Sequence, residues 1–204
     1  MLTAVIPAFN EGERIGDVVK QALDYVDEVV VVDDASPDNT SVVAREAGAR
    51  VIRNESNRGY VYSIKKGFRE AKGDIIVCLD GDGEHDPAFI PKLVKPITDG
   101  EVDLVLGKRE YITRLSERFL NWLVNFKVRV SDSGTGYRAL RKELAVKLEL
   151  RGKCTCGVLL LESIRYGALF TEVDVTNQEI DKERNIAWGH FKQFFYLLPE
   201  LIRG

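Results

Sequence analysis

Cysteine is scarce in this chain. Three in 204 residues is an odd count that argues against a disulfide framework and suits a reducing compartment. Excess charge is scarce too: a net charge of −3 supplies no field for non-specific nucleic-acid binding, so no nucleic-acid partner is expected. No stretch reaches the roughly 20 apolar residues that a membrane-spanning helix needs. A strand-like run begins directly after Met1, which leaves no room for a signal peptide. Together these absences predict a cytoplasmic protein. Linkers, internal repeats and low-complexity tracts are missing as well. With 45% hydrophobic and 30% charged residues, the balance is that of one globular domain with a sizeable core.

Two common nucleotide-binding signatures are also absent. A dinucleotide fold needs Gly-x-Gly-x-x-Gly after its first strand, but the chain reads Pro7-Ala-Phe-Asn-Glu-Gly12 there. A pyrophosphate would meet Glu11 in place of a glycine cradle. The lysine signature of a phosphate-binding loop is missing too.

What the chain does contain is alternation. Residues 2–6, 28–33, 50–53, 74–79 and 102–106 read as strands, separated by helical segments over 13–26, up to Gly48, over 60–72 and over about 87–98. Ile15, Val18, Val19 and Ala22 fall at i, i+3, i+4 and i+7, one face of a helix. Residues 28–33 are apolar through the middle without alternation, as in a parallel strand covered on both sides. Short connections of this kind imply right-handed crossovers and a mostly parallel sheet. The polar loops 7–12, 33–38 and 80–86 then share the carboxyl edge, where such sheets bind ligands. The second half is less regular. Residues 111–127 place Leu115, Phe119, Trp122, Leu123 and Phe126 at helical spacing, and residues 131–141 are glycine-rich and then extended. Helices near 143–150 and 158–167, a strand at 169–175 and a helix at 187–202 complete the chain. Cys154-Thr-Cys156 reads as two semi-buried thiols.

The densest chemistry lies at the fourth strand's exit. Asp80, Asp82 and Glu84 stand at i, i+2 and i+4 with Gly81 and Gly83 between them. Carboxylates this close repel one another unless a cation sits among them, and they offer the hard oxygens a divalent ion prefers. The plain alternative is a solvated acidic turn with capping aspartates. Its place at a strand's carboxyl end, beside two other polar loops, favours the ligand reading.

Four motifs follow one another in order: Pro7-Ala-Phe-Asn-Glu11, Val31-Val-Asp-Asp34-Ala-Ser36-Pro-Asp38, Asp80-Gly-Asp82-Gly-Glu-His-Asp-Pro87 and Asp132…Thr135-Gly-Tyr-Arg138. Together they resemble the family 2 glycosyltransferases of the GT-A fold, over about residues 2–176. Within that family the chain most resembles the polyprenyl- and dolichyl-phosphate sugar synthases. The resemblance implies an α/β fold of GT-A type, with a mostly parallel central sheet flanked by helices. One domain would hold a Rossmann-like nucleotide-sugar-binding half (1–109) and an acceptor-side half (110–204).

The resemblance also implies roles. Pro7, Phe9 and Glu11 would line the nucleotide pocket, with Phe9 where the family often has tyrosine. Val32 and Asp34 would contact base and ribose, and Asp80, Gly81 and Asp82 would lie by the ribose and pyrophosphate. Asp80, Asp82 and Glu84 would hold Mg2+ or Mn2+, Glu84 standing where the family usually has glutamine. Asp82, Arg109 and Asp132 would be catalytic, with Arg109 directed at a donor or acceptor phosphate. Arg138, Glu162 and Arg114 are acceptor-side candidates; surface charge is the plain reading for Arg114 and Arg118, and a helix-surface glutamate for Glu162. His85 and Asp86 read as scaffold. A basic residue near the donor phosphates would be Lys182 or Arg184.

The implied function is metal-dependent, inverting sugar transfer from a UDP- or GDP-linked donor to a polyprenyl or dolichyl phosphate. A sugar hydroxyl is the alternative acceptor. A sugar nucleotidyltransferase would need a glycine- and arginine-rich first loop that is absent here, and a non-catalytic nucleotide-sugar-binding module would not need the Asp80/Asp82 pair. Finally, Phe191, Phe194, Phe195, Leu198 and Ile202 line one side of the last helix, near Lys192 and Arg203. Such a stripe closes the core, joins a second subunit in a homo-oligomer, or lies peripherally at the inner face of a membrane.

Overall fold

The computed structural model describes residues 1–112, 114–176, 178 and 187–202, with 187–191 as backbone only. Strands β1 (Leu2–Ala8), β2 (Glu28–Asp33), β3 (Arg50–Arg53), β4 (Ile75–Cys78), β5 (Leu104–Arg109), β6 (Arg138–Arg141) and β7 (Phe170–Val175) form one sheet. Their order is β3-β2-β1-β4-β6-β5-β7. Neighbours run parallel throughout except at β6, which is antiparallel to both β4 and β5. The predicted mostly parallel α/β architecture is therefore present. Val29, Val30, Val31 and Val32 of β2 are at most 1% exposed, as the unbroken apolar run requires. The direction of β6 was not predictable from its pattern: four residues paired on both edges carry no orientation signal.

Helices α1 (Ile15–Leu23), α2 (Thr40–Glu46) and α4 (Ile90–Thr98) cover one face, packing Ile15, Val19, Ala44 and Leu93 against Ile6, Val31 and Val77. Helices α3 (Tyr60–Glu70), α5 (Leu115–Val124), α6 (Lys142–Ala145), α7 (Val158–Arg165) and α8 (Ala187–Ile202) cover the other, where Ile64, Phe68, Leu159 and Leu197 meet Val5, Ile76 and Leu140. No described helix is long and apolar enough to cross a membrane.

Two helices turn a different side inward from the one their aromatic residues suggest. α5 buries Glu117, Leu120, Leu123 and Val124, so Leu115, Phe119, Trp122 and Phe126 face outward. α8 buries Gln193, Leu197 and Glu200, while Phe194 and Leu198 are half-buried and Phe195 and Ile202 exposed. Aliphatic side chains and a glutamine that holds the neighbouring loop fill these contacts better than bulky rings: the Gln193 Oε1 accepts the N–H groups of Lys153 and Cys154 at 2.8 and 3.2 Å, while its buried Nε2 has no hydrogen-bond partner among the described residues. Core closure thus occurs, but along the 193–197–200 side. The Phe191 side chain, Lys182, Arg184 and Arg203 lie outside the described residues.

Helix α3 reaches the sheet closely because of Gly67, where a Cβ would lie 2.2 Å from Val5 Cγ1 on β1. Helix propensity favours alanine over glycine by about 1 kcal/mol, whereas overpacking a tight core costs about 1–3 kcal/mol. Backbone and strand leave little room to yield, so the clash dominates. Gly67→Ala is expected to lower unfolding free energy by about 1–2 kcal/mol, read as a lower denaturant midpoint at unchanged slope. A stabilised variant would show that α3 is not seated this way.

Candidate active site

β1 has β2 on one side and β4 on the other, so chain order reverses at β1 and a crevice opens at the carboxyl edge. The cavity there is about 360 Å3. Its walls bring together Pro7, Phe9, Glu11, Asp34, Asp80, Gly81, Asp82, Glu84, Arg109 and Arg114, from loops far apart in sequence.

The loops after β1 and β2 are tied to each other. The N–H groups of Asn10, Glu11 and Gly12 donate to Ser36 Oγ (3.0 Å), Thr40 Oγ1 (2.9 Å) and Asp38 Oδ2 (2.9 Å). Asn10 and Ala35 both sit at positive φ, 59° and 63°, so these loops hold backbone strain beside the crevice. Asp34 is fixed from the far side: its carboxylate accepts the N–H groups of Arg58 (2.9 Å) and Gly59 (2.7 Å) and the Asn54 Nδ2 (2.7 Å). Gly59, at φ 86°, turns the chain into α3 so that this amide can point back at Asp34.

In the acidic turn, Asp80, Asp82 and Glu84 each offer a carboxylate oxygen within 4.8 Å of the others. Gly83 takes the left-handed φ of 84° that closes the turn, and Asp82 accepts the Glu84 N–H at 3.1 Å. His85 is buried beneath. Its Nδ1 accepts the Asp80 N–H at 3.1 Å, which leaves the ring hydrogen on Nε2, 3.9 Å from Asp80 Oδ2. Burial lowers the imidazole pKa to about 4, so the ring is neutral near pH 7. It stacks on Tyr137 at 4.9 Å, and the Tyr137 hydroxyl donates to the Asp86 carbonyl at 2.8 Å. Gly136 closes over this group; a Cβ there would lie 2.9 Å from Asp80 Oδ2 and 3.0 Å from His85 Cε1. The donor set is all oxygen, compact and backed by a neutral ring, and it suits a hard divalent cation.

The opposite charge comes from Arg109 at the end of β5. Its Nε and Nη2 donate to Asp132 at 2.7 and 3.0 Å, and Nη2 also donates to Glu117 at 3.0 Å. Arg114 reaches the other Glu117 oxygen at 2.8 Å. Burial alone would lower the Arg109 pKa, but Asp132 and Glu117 outweigh it and raise the value further. Asp132 is 1% exposed and accepts two more hydrogen bonds, from the N–H groups of Arg109 (3.3 Å) and Gly134 (3.2 Å). Glu172 of β7 holds the loop by accepting the N–H groups of Ser131 and Asp132.

Residues 3–148 match the model of Glycosyl transferase family 2. The chain belongs to that family. A dolichol-phosphate mannosyltransferase of Pyrococcus furiosus is 33% identical over 73% of this chain and 48% of its own length, so the chain spans about half of that relative. A UDP-N-acetylglucosamine–dolichyl-phosphate N-acetylglucosaminyltransferase of Methanococcus voltae is 26% identical over 97% of this chain and 95% of its own. Among solved structures, glucosyl-3-phosphoglycerate synthase from Mycobacterium tuberculosis, in complex with Mn2+, UDP and glucosyl-3-phosphoglycerate, superposes with a TM-score of 0.81. That likeness covers 98% of this chain and 80% of the synthase at 23% identity, and it speaks to the fold, which is of GT-A type.

Not every predicted site residue of this family member reaches the crevice. Val32 is buried within the sheet, and Asp132 lies behind Arg109. Glu162 is neither at the crevice nor on the helix surface. It is 1% exposed, and its carboxylate accepts the N–H groups of Glu149 (2.7 Å) and Leu150 (3.2 Å). Burial raises its pKa, although those two bonds oppose the shift. Arg138 is 2% exposed, in register with Cys78, and among the described residues its Nε and Nη2 have no hydrogen-bond partner. Burial pushes the Cys78 thiol up to about 12 and the Tyr60 hydroxyl well above 10.0, while the Arg138 charge pulls both the other way.

Sequence reasoning missed Glu117, Tyr60, Ser63 and the 153–156 loop as crevice walls. One signal was available for Glu117: it is the only acid between residues 111 and 131, three positions after Arg114. Because Asp132 and Arg109 are both largely buried, removing Asp132 leaves the Arg109 Nε without its partner and the guanidinium with Glu117 alone. Asp132→Ala is expected to cost about 2–3 kcal/mol of stability, less than the ~3–5 kcal/mol of a fully unpaired buried charge because Glu117 remains, measured by denaturant unfolding. A loss below about 1 kcal/mol would mean the pair behaves as an exposed one.

Proposed function

We propose that this glycosyltransferase moves a sugar from a nucleoside diphosphate sugar to the phosphate of a polyprenyl or dolichyl lipid, with inversion at the anomeric carbon. One observation carries the reading: the Asp80–Asp82–Glu84 cluster and Arg109 line a single crevice. That pairing suits a reaction in which a charged diphosphate leaves while a charged phosphate attacks. The Pyrococcus and Methanococcus relatives, named for dolichyl-phosphate acceptors, support the acceptor class. The Mn2+ and UDP held by the mycobacterial synthase support the donor class.

Asp80, Asp82 and Glu84 would hold a divalent cation of the Mg2+ or Mn2+ type. Bound there, such an ion stabilises charge on the departing diphosphate without proton transfer. The protein's own groups then position and shield. Asp34, pinned by Asn54, Arg58 and Gly59, presents a fixed acceptor to the base or ribose. His85 and Gly136 hold Asp80 in place. A lipid phosphate is largely ionised near pH 7, since a second phosphate pKa is about 6, and needs no general base. Asp132 accordingly serves as a partner for Arg109: four hydrogen bonds converge on its two oxygens, and none points to a role in taking up a proton.

The test is release of nucleoside diphosphate, stimulated by polyprenyl phosphate, together with labelled sugar appearing in the lipid. Chelation should abolish both, and Mn2+ or Mg2+ should restore them. Asp82→Ala should reduce turnover by about 100-fold, equivalent to ~2.7 kcal/mol of barrier. Transfer that survives the chelator and the substitution would rule out the metal role. Pyrophosphate release from a nucleoside triphosphate would instead identify a nucleotidyltransferase.

A further inference from the structure

We propose that Lys153 is a phosphate-contacting residue of the crevice and that Gln193 of α8 is the residue that positions it. The segment between α6 and α7 supplies part of the crevice wall, with Lys153, Cys154, Thr155 and Cys156 consecutive along it. None of these four residues belongs to a helix or strand, so their shape is set from outside. Gln193 is 0% exposed, and its Oε1 accepts the N–H groups of Lys153 at 2.8 Å and Cys154 at 3.2 Å. Gly152, at φ 114°, makes room for that side chain: a Cβ there would lie 2.2 Å from Gln193 Oε1.

The other end of the wall is seated as closely. Gly157 has a φ of 72°, and a Cβ there would lie 2.6 Å from Val124 Cγ2 of α5 and 3.0 Å from Leu197 Cδ1 of α8. Its N–H donates to the Ser133 carbonyl at 3.0 Å, which joins the wall to the loop whose Asp132 grips Arg109. Glutamine is a poor filler for this core position, because its buried Nε2 lacks a hydrogen-bond partner among the described residues. Leucine would remove that cost but leave two loop amides without an acceptor. What the glutamine secures is the backbone of Lys153.

Charge gives Lys153 its role. Three cations line the crevice: Arg109, Arg114 and Lys153. Both arginines are already engaged, Arg109 with Asp132 and Glu117, and Arg114 with Glu117. Lys153 is exposed and makes no ion pair with any described residue. Glu11, Asp34, Asp80, Asp82 and Glu84 also line the crevice, and their charge repels a phosphate unless a cation meets it. An ammonium on a flexible stem holds phosphate as a point charge. Phosphate comes from two sources here, the donor's nucleoside diphosphate and the lipid acceptor, and this choice of ligands rests on the reaction proposed above.

The experiment measures binding of UDP or GDP with Mn2+, and of a short-chain polyprenyl phosphate in detergent, to the full chain and its variants. Lys153→Met is expected to weaken at least one ligand about tenfold, the loss of one hydrogen bond to a charged group. Lys153→Arg, which keeps the charge, should retain most of the affinity. Weakening of the nucleotide assigns Lys153 to the donor phosphates, and weakening of the polyprenyl phosphate assigns it to the acceptor. Gln193→Leu should weaken the same ligand about threefold or more, yet add nothing in the Lys153→Met background, because it acts through Lys153. Thermal unfolding of the unliganded variants reports that each is folded, and the exposed Lys153 substitutions carry the test where Gln193→Leu does not fold. Unchanged binding of both ligands by Lys153→Met overturns the phosphate contact, as does an equal loss in Lys153→Arg. A Gln193→Leu effect of the same size in both backgrounds overturns the positioning role. Sugar transfer is measured separately. Weakened nucleotide binding in Lys153→Met, without any transfer to polyprenyl phosphate, removes the acceptor reading and leaves the phosphate contact standing; transfer by a wild-type chain whose Lys153→Met variant binds both ligands undiminished does the reverse.

Discussion

Three carboxylates within 4.8 Å of one another repel, and much of the surrounding structure works to hold them there. The backbone supplies the first restraint, because Gly83 closes the turn in a conformation that side chains resist. His85 supplies the second. As a neutral ring it accepts the Asp80 amide at Nδ1 and adds no charge, whereas a protonated imidazole would have no lone pair for that amide. Tyr137 backs the ring, and the Asp86 carbonyl fixes Tyr137 through its hydroxyl. The cluster is thus restrained through the main chain and through packing.

The balancing positive charge is held differently. Arg109 is locked between Asp132 and Glu117, with Arg114 completing the chain of charges. This arrangement is largely buried, so each charge is needed to keep its neighbours from being stranded. It also sets the guanidinium's direction before any ligand arrives. Arg138 is the contrast: a buried cation with Nε and Nη2 unpartnered among the described residues, close enough to Tyr60, Cys78 and His85 to act on each. Its positive potential reaches the same end of β4 as the acidic turn, and favours anionic charge there at the expense of local stability.

What could be read from the sequence depended on range. The valine run of β2, the helix of Ile15, Val18, Val19 and Ala22, and the spacing of Asp80, Asp82 and Glu84 are local patterns, and the elements they predict are present. The Arg109–Asp132–Glu117 network joins residues 23 and 8 positions apart, one at the end of β5, one in the loop before β6 and one on α5, a meeting that no local pattern reveals. Glu162 failed for a related reason. A glutamate in a helix looks solvent-facing until the turn at 149–150, with Leu150 at φ 41°, presents two amides that need an acceptor. On α5, periodicity identified an apolar face correctly but not its direction, because aliphatic Leu120, Leu123 and Val124 form a competing stripe that packs more closely.

The reversed strand β6 explains how both kinds of charge come to share one crevice. In an all-parallel sheet every strand would begin at the edge remote from the ligand, and only the loops that follow strands would reach the crevice. Because β6 runs the other way, its amino end and the 131–137 loop before it lie at the carboxyl ends of β4 and β5. Gly136 can then press on Asp80 and His85 on one side, while Asp132 grips Arg109 on the other. A single loop thereby sets the spacing between the acidic turn and the guanidinium. If the leaving diphosphate binds at the first and a donor or acceptor phosphate meets the second, the geometry of sugar transfer is controlled by a segment that touches both sites without supplying the metal ligands.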